Sequence, residues 1–103
     1  MHLMISEKSD LLVDACKRFD VARLDIFGSA ARGSDFDPAR SDVDFLVLFR
    51  PDAKADFYFD LEEAFVRILG CKVDLLDRCA IEASRNYIRR RSILGQAEPN
   101  YVA

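Results

Sequence analysis

Histidine is nearly missing from this chain: the only one is His2, beside the N-terminus. Chain ends are where order is weakest, so this imidazole reads as part of a loose end and not as a catalytic base or metal ligand. Its scarcity removes the usual general base of serine and cysteine nucleophiles, and catalysis has to come from carboxylates, arginines or a metal ion. Cysteine is scarce as well. Cys16, Cys71 and Cys79 form an odd set without C-x-x-C spacing, which indicates neither a disulfide framework nor a zinc site. No apolar run approaches the roughly 20 residues that span a bilayer, and no basic segment leads into a long apolar one at the N-terminus. A soluble protein of a reducing, cytoplasmic setting is expected, with no membrane partner. Positive charge is not in surplus either. A net charge of −3 and a pI near 5.1 lack the broad basic footprint of a protein that grips duplex nucleic acid through its phosphates.

What is present suits one domain over residues 1–103, because half of the residues are apolar and a chain this short builds a single modest core. Leu12, Ala15, Cys16 and Phe19 recur at helical spacing, which predicts an amphipathic helix over about Ser6 to Phe19. Val21 to Phe27 alternates and predicts a strand ending at Gly28, after which Ser29 caps a short helical turn that stops at Gly33. Ser34 to Ser41 is polar, contains Pro38 and reads as a surface loop. Asp42 to Phe49 is the strongest strand signal, its Phe-Leu-Val-Leu-Phe run suiting a strand covered on both faces. A helix over about Ala55 to Leu69 ends at Gly70, Cys71 to Leu76 makes a short strand, and Ile81 to about Leu94 reads as a last helix closed by Gly95 and Pro99. Strand, helix and strand in that length imply a crossover and a parallel pair. The fold class is therefore α/β: a small mixed sheet of about three strands flanked by helices. Phe57, Tyr58 and Phe59 are read as core and interface aromatics.

The chemistry concentrates between Phe27 and Asp44. Residues two apart in a strand point the same way, so Asp42 and Asp44 present both carboxylates on one face, their Cα atoms ~6–7 Å apart. Two hard oxygen ligands so placed can share a divalent ion such as Mg²⁺, which favours their ionised forms. Asp74, within Val73-Asp74-Leu75, supplies a third carboxylate if its strand lies beside the first, and Asp77 is the alternative. The backbone N–H groups around Gly28 and Ser29 open a helical turn and offer an anion site for terminal phosphates, with glycine allowing close approach. Arg32 has two readings: it reaches nucleotide phosphates, or it anchors the loop through Asp35 or Asp37. Arg85, Arg89, Arg90 and Arg91 gather on the last helix as a solvated face or as a surface for an acidic partner or RNA.

The order and spacing of these stretches resemble the minimal nucleotidyltransferase domains of the DNA polymerase β-like superfamily, which include bacterial antitoxins paired with HEPN-domain ribonuclease toxins. The matching stretches are Ile26 to Gly33, Ser41 to Val47, Val73 to Leu75 and Tyr87 to Leu94, and the resemblance covers nearly the whole chain. It implies the polymerase β-like nucleotidyltransferase fold, Gly28 and Ser29 at the nucleotide phosphates, Asp42 and Asp44 as metal ligands, and Asp74 as the third carboxylate. It further implies Mg²⁺-dependent transfer of AMP from ATP to a tyrosine of a HEPN toxin held in a hetero-oligomer, since a chain of this length carries no separate acceptor domain. Two other functions stay open: a binding-only antitoxin that masks its toxin with a vestigial nucleotide site, and a standalone transferase acting on a small hydroxyl compound. One departure stands out. Ala30 to Ser41 places twelve residues between the Gly-Ser pair and the Asp-x-Asp pair, two more than is common in the family, and the excess fits the Asp35–Arg40 loop at small cost.

Overall fold

The computed structural model describes residues 3–32 and 42–103. Helices α1 (Leu3–Glu7) and α2 (Ser9–Arg18) lead into strand β1 (Val21–Phe27), and helix α3 (Ser29–Arg32) follows almost at once. Strand β2 (Val43–Phe49), helix α4 (Phe57–Leu69) and strand β3 (Val73–Asp77) come next, then helices α5 (Arg78–Glu82) and α6 (Tyr87–Gln96) and strand β4 (Glu98–Val102). Among the described residues the strands make one sheet in the order β3-β2-β1-β4. β2 and β3 are parallel, with α4 between them in the chain, while β1 is antiparallel to both β2 and β4. The sheet is mixed and flanked by helices as expected, with one strand more than the sequence indicates.

Each face of the sheet carries its own core. On one face, Leu12, Ala15 and Cys16 of α2 and Leu61, Phe65 and Leu69 of α4 cover Leu24, Ile26, Phe45, Val47 and Leu75. Phe45 and Phe65 meet there with ring centroids 5.0 Å apart, an arrangement that adds about 0.5–1.5 kcal/mol beyond area burial. Burial pushes the Cys16 thiol up to about 12, so it is an inert packing group. The opposite face holds a smaller cluster of Phe27, Leu46, Ile81 and Ile93, roofed by α5 and α6. β2 thus buries residues of both parities, as its continuous apolar run requires.

Several boundaries differ from the sequence expectation for identifiable reasons. The region from Ile81 to Leu94 is not one helix: α5 ends at Glu82, and α6 starts afresh after Asn86, whose side chain accepts a hydrogen bond from the Arg89 N–H at 3.1 Å. An Asn cap of this kind outweighs the helical propensity of the residues it interrupts. Pro99, read as a terminator, lies instead within β4, opposite Asp25, where the pairing register shifts. Proline is tolerated there because β4 is at the sheet edge. Gly70 does end α4, in a left-handed conformation at φ +67°, donating its N–H to the Val66 carbonyl at 2.8 Å. The helix expected over Ser6 to Phe19 breaks at Lys8 into α1 and α2. His2, Gly33 and the loop Ser34 to Ser41, including Asp35 and Asp37, lie outside the described residues.

Among the described residues one charged group is fully buried. Asp25 of β1 is 1% exposed, and Arg23 donates to it through Nε at 2.7 Å and a terminal nitrogen at 3.1 Å. Arg78 approaches the same carboxylate at 3.3 Å and donates to Glu82 at 2.8 Å. Because Asp25 pairs with Leu46 and β2 separates β1 from β3, this contact straps the start of α5 across the sheet to β1. Removing Asp25 leaves the Arg23 and Arg78 guanidiniums, 35% and 18% exposed, without this acceptor, at about 1–3 kcal/mol. Asp25→Ala is therefore expected to lower unfolding free energy by about that amount in urea titrations. Glu63→Ala, which breaks the exposed Arg67–Glu63 pair, is expected to cost less than about 1 kcal/mol in the same assay. Equal losses in both variants would refute the strap.

Candidate active site

Strand register builds the site. Phe27 of β1 is paired with Asp44 of β2, and Asp44 with Asp74 of β3, so the three side chains form a row across adjacent strands. Paired residues point to the same side of a sheet, and neighbouring strands lie about 4.8 Å apart. Val43, Phe45 and Val47 point the other way into the larger core, which fixes the face on which Asp44 emerges. Asp42 lies one residue before β2 and is exposed, as is Asp74, whereas Asp44 is half-buried. Asp77, the alternative third carboxylate, is used differently: its side chain accepts the Cys79 N–H at 3.0 Å and caps α5.

Asp44 is the electrostatic centre of this row. Burial, then the charges of Asp74 and Asp42, raise its carboxyl from the usual 3.8 to about 6, against the opposing pull of Arg32. Gly28 touches it from the side. The glycine has φ +72°, and a Cβ added there would lie 2.6 Å from Asp44 Oδ2, so both backbone conformation and space demand glycine. α3 begins with the next residue, and Ala31 and Arg32 both donate to the Gly28 carbonyl at 3.2 Å. The first N–H groups of a helical turn have no acceptor within it, which leaves this end of β1 suited to an anion. Arg32, at the end of α3, donates to Gln96 Oε1 at 3.3 Å and so links the turn to α6. The expected site residues Gly28, Ser29, Arg32, Asp42, Asp44 and Asp74 are accordingly gathered at one end of the sheet.

A cleft of about 610 Å³ opens from this row. Phe27, Asp44, Asp74 and Leu76 form its floor, and Asn86, Ile88, Arg89, Ser92 and Ile93 of the α6 segment form the facing wall. In the sequence reading this wall figures only as the resembling stretch Tyr87 to Leu94 and, at Arg89, as part of the basic cluster, with no place in the site. Its signal was available: Asn86 as a cap, followed by Arg89, Ser92 and Ile93 at helical spacing. The rest of the basic cluster is partly committed. Arg90 donates to the Ser84 carbonyl at 3.2 Å and stacks 5.5 Å from the Tyr87 ring centre, and Arg91 donates to the Tyr87 hydroxyl at 3.4 Å.

The donor set suits a hard divalent cation. Among the described residues no group of three acidic, histidine or cysteine side chains is gathered closely enough to enclose an ion. Mg²⁺ needs no such cage, because it is commonly held by one or two carboxylates with water and phosphate oxygens completing the shell. Crowding of Asp44 by Asp42 and Asp74 is the repulsion that a bound cation relieves.

Two outcomes follow from this geometry. Gly28→Ala should lower stability by about 1–2 kcal/mol, as the methyl displaces the Asp44 carboxylate; urea titrations showing wild-type stability would refute the close approach. The second concerns pH. A carboxyl raised in the folded state binds its proton more tightly there than in the unfolded chain, so its ionisation removes stability as pH rises from about 4 to above 6. Asp44→Asn should therefore stabilise the metal-free protein by about 1–3 kcal/mol at pH 8, with the gain vanishing below pH 4. Thermal melts across that range test it, and a pH-independent difference would contradict the assignment of burial and like charge as its causes.

Comparison with known proteins agrees with this geometry. The sequence profile of the nucleotidyltransferase domain matches residues 9–98. A Methanocaldococcus jannaschii protein named "putative protein adenylyltransferase" is 37% identical over 82 residues, covering 76% of this chain and 82% of that protein. A solved structure described as a "putative minimal nucleotidyltransferase" superposes with a TM-score of 0.74 at 27% identity, over 96% of both chains. At the level of fold, a chain from the complex of a tri-AMPylated Shewanella oneidensis HEPN toxin with an MNT antitoxin superposes with a TM-score of 0.63 at 14% identity, over 95% of this chain and 72% of that one. A toxin–antitoxin structure with AMP-PNP gives 0.67 at 16% identity, over 92% and 73%. With a profile match over most of its length and Asp44 and Asp74 side by side next to Gly28, the chain belongs to the nucleotidyltransferase domain family.

Proposed function

We propose that this nucleotidyltransferase transfers AMP from ATP to a tyrosine hydroxyl of a HEPN-domain ribonuclease, in a Mg²⁺-dependent reaction that silences the ribonuclease as an antitoxin does. The observation that carries the reading is the row of Asp44 and Asp74 across parallel strands, with Gly28 pressed against Asp44. The AMP-bearing toxin and the AMP-PNP complex among the structural neighbours support the choice of nucleotide and acceptor, as does the adenylyltransferase name of the archaeal relative.

In this reading Asp42 and Asp44 hold Mg²⁺, and Asp74 completes the set on the acceptor side. The chemistry that the bound metal supplies is charge neutralisation at the phosphates and activation of the attacking oxygen. Gly28 and Ser29 admit the β- and γ-phosphates against the backbone N–H groups, and Arg32 adds positive charge there. The tyrosyl oxygen forms a bond to the α-phosphorus, and the bond from that phosphorus to the bridging oxygen breaks. Pyrophosphate leaves with the electron pair, and the phenolic proton passes to Asp74 or to water beside it. Attached AMP adds negative charge where a ribonuclease must hold RNA phosphates, so RNA is repelled.

Incubating the protein with its cognate HEPN ribonuclease, ATP and Mg²⁺, then weighing the ribonuclease by intact mass spectrometry, tests this directly. Wild type should add AMP and abolish ribonuclease activity, whereas the Asp42→Ala/Asp44→Ala variant should do neither. An unmodified ribonuclease inhibited equally by both proteins would replace transfer with simple masking.

A further inference from the structure

The row of site residues has a direction across the sheet. Gly28 and α3 stand at its β1 end, Asp44 in the middle and Asp74 at its β3 end. Phosphoryl displacement runs in line, with the attacking and leaving oxygens on opposite sides of phosphorus. If pyrophosphate departs toward Gly28 and α3, the attacking hydroxyl arrives from the Asp74 end. The cleft passes through that end, where Asp74 and Leu76 of β3 face Ile88 and Arg89 of α6.

The α6 wall is chemically distinctive. Ile88, which lines the cleft, is 79% exposed, so a large apolar side chain is presented at its rim. Between Glu82 and Glu98 the chain carries four arginines and no acidic residue. Arg90 and Arg91 are engaged around Tyr87 and Ser84, whereas the Arg89 side chain lines the cleft. We infer that the α6 face bearing Ile88 and Arg89 docks the acceptor, a protein segment whose reactive hydroxyl is flanked by apolar and acidic side chains.

This inference rests on the transferase reading above and adds to it the surface and the chemistry of the acceptor. Charge complementarity selects an acidic segment, because acidic flanks meet Arg89 and are kept from sliding onto the carboxylate row by like-charge repulsion. Apolar flanks are selected by Ile88, since a large apolar side chain exposed at the rim of a cleft contributes binding only when a partner covers it. RNA is the less suitable occupant, because one cleft-lining arginine is too small a basic footprint for a chain of phosphates and the exposed Ile88 offers them no partner.

The test uses the full chain with Ile88→Asp, Arg89→Glu and Arg89→Lys substitutions, all at exposed positions. Three quantities are measured: Mg·AMP-PNP affinity by calorimetry, AMP transfer as a function of HEPN ribonuclease concentration, and binding of a single-stranded RNA oligonucleotide by anisotropy. Ile88→Asp and Arg89→Glu should leave nucleotide Kd within about twofold and kcat within about threefold while raising the acceptor KM at least about tenfold, and Arg89→Lys should restore most of the loss. Loss of AMP-PNP affinity equal to the loss in kcat/KM would assign the wall to the nucleoside and overturn the inference. So would an unchanged acceptor KM, or an effect confined to RNA binding. If wild type neither binds AMP-PNP nor transfers AMP, the transferase reading fails and the docking surface falls with it. Wild-type transfer that the substitutions do not alter overturns the docking surface alone.

Discussion

Burial of the Asp44 carboxylate beside two like charges is the constraint around which this end of the molecule is arranged. The β2–β3 register sets Asp74 beside it, the approach to β2 adds Asp42, and partial burial deprives all of this repulsion of full solvent screening. A carboxyl held at about 6 is half-protonated at mildly acidic pH and costs stability once ionised. Such an arrangement persists only where the surrounding structure over-determines it. Gly28 makes the geometry more demanding still, because no other residue fits both its backbone angle and the space left by the Asp44 carboxylate.

The rest of the fold supplies that over-determination. Val43, Phe45 and Val47 anchor β2 in the larger core, so Asp44 cannot turn inward without lifting three buried side chains out. On the other face Leu46 is sealed under Ile81 and Ile93, and the Arg78–Asp25 contact holds α5 over the sheet. Tyr58 of α4 donates its hydroxyl to the Leu75 carbonyl of β3, which gives a backbone acceptor on a sheet-edge strand a partner within the chain. These contacts fix Asp74 relative to Asp44 from β3, from α4 and from α5 together. The site is therefore held by regular elements, with α3 following β1 directly after Gly28.

Much of this was legible in the sequence because the relevant signals were local and strong. The apolar run after Asp44 and the alternation up to Phe27 located β1 and β2, and the Val73-Asp74-Leu75 stretch located β3. Gly28, Ser29, Asp42, Asp44 and Asp74 could then be brought together by topology alone. Three features escaped, two because they depend on contacts between distant segments and one, the α5–α6 break, because the helical pattern on both sides of Asn86 masks its local cap. β4 exists because β1 offers it an edge, which overrides the breaking tendency of Pro99. The break between α5 and α6 depends on the Asn86 cap competing with residues of ordinary helix propensity. The buried Asp25 was invisible as such, since Arg23 and Asp25 alternate like any solvated strand face until Arg78 arrives from across the sheet.

Exposure divides the three carboxylates into two kinds, and the division bears on how a metal-bound nucleotide would be accepted. Asp44 is half-buried against Gly28 and has little room to turn, while Asp42 and Asp74 are exposed and free of such packing. Swinging an exposed carboxylate to meet an incoming ion costs only side-chain entropy, on the order of 1 kcal/mol. Moving Asp44 would instead disturb the backbone of Gly28 and the start of α3. On the proposed function, Asp44 would be the fixed ligand beside Gly28, and Asp42 and Asp74 would be the ligands free to turn toward a metal-bound nucleotide.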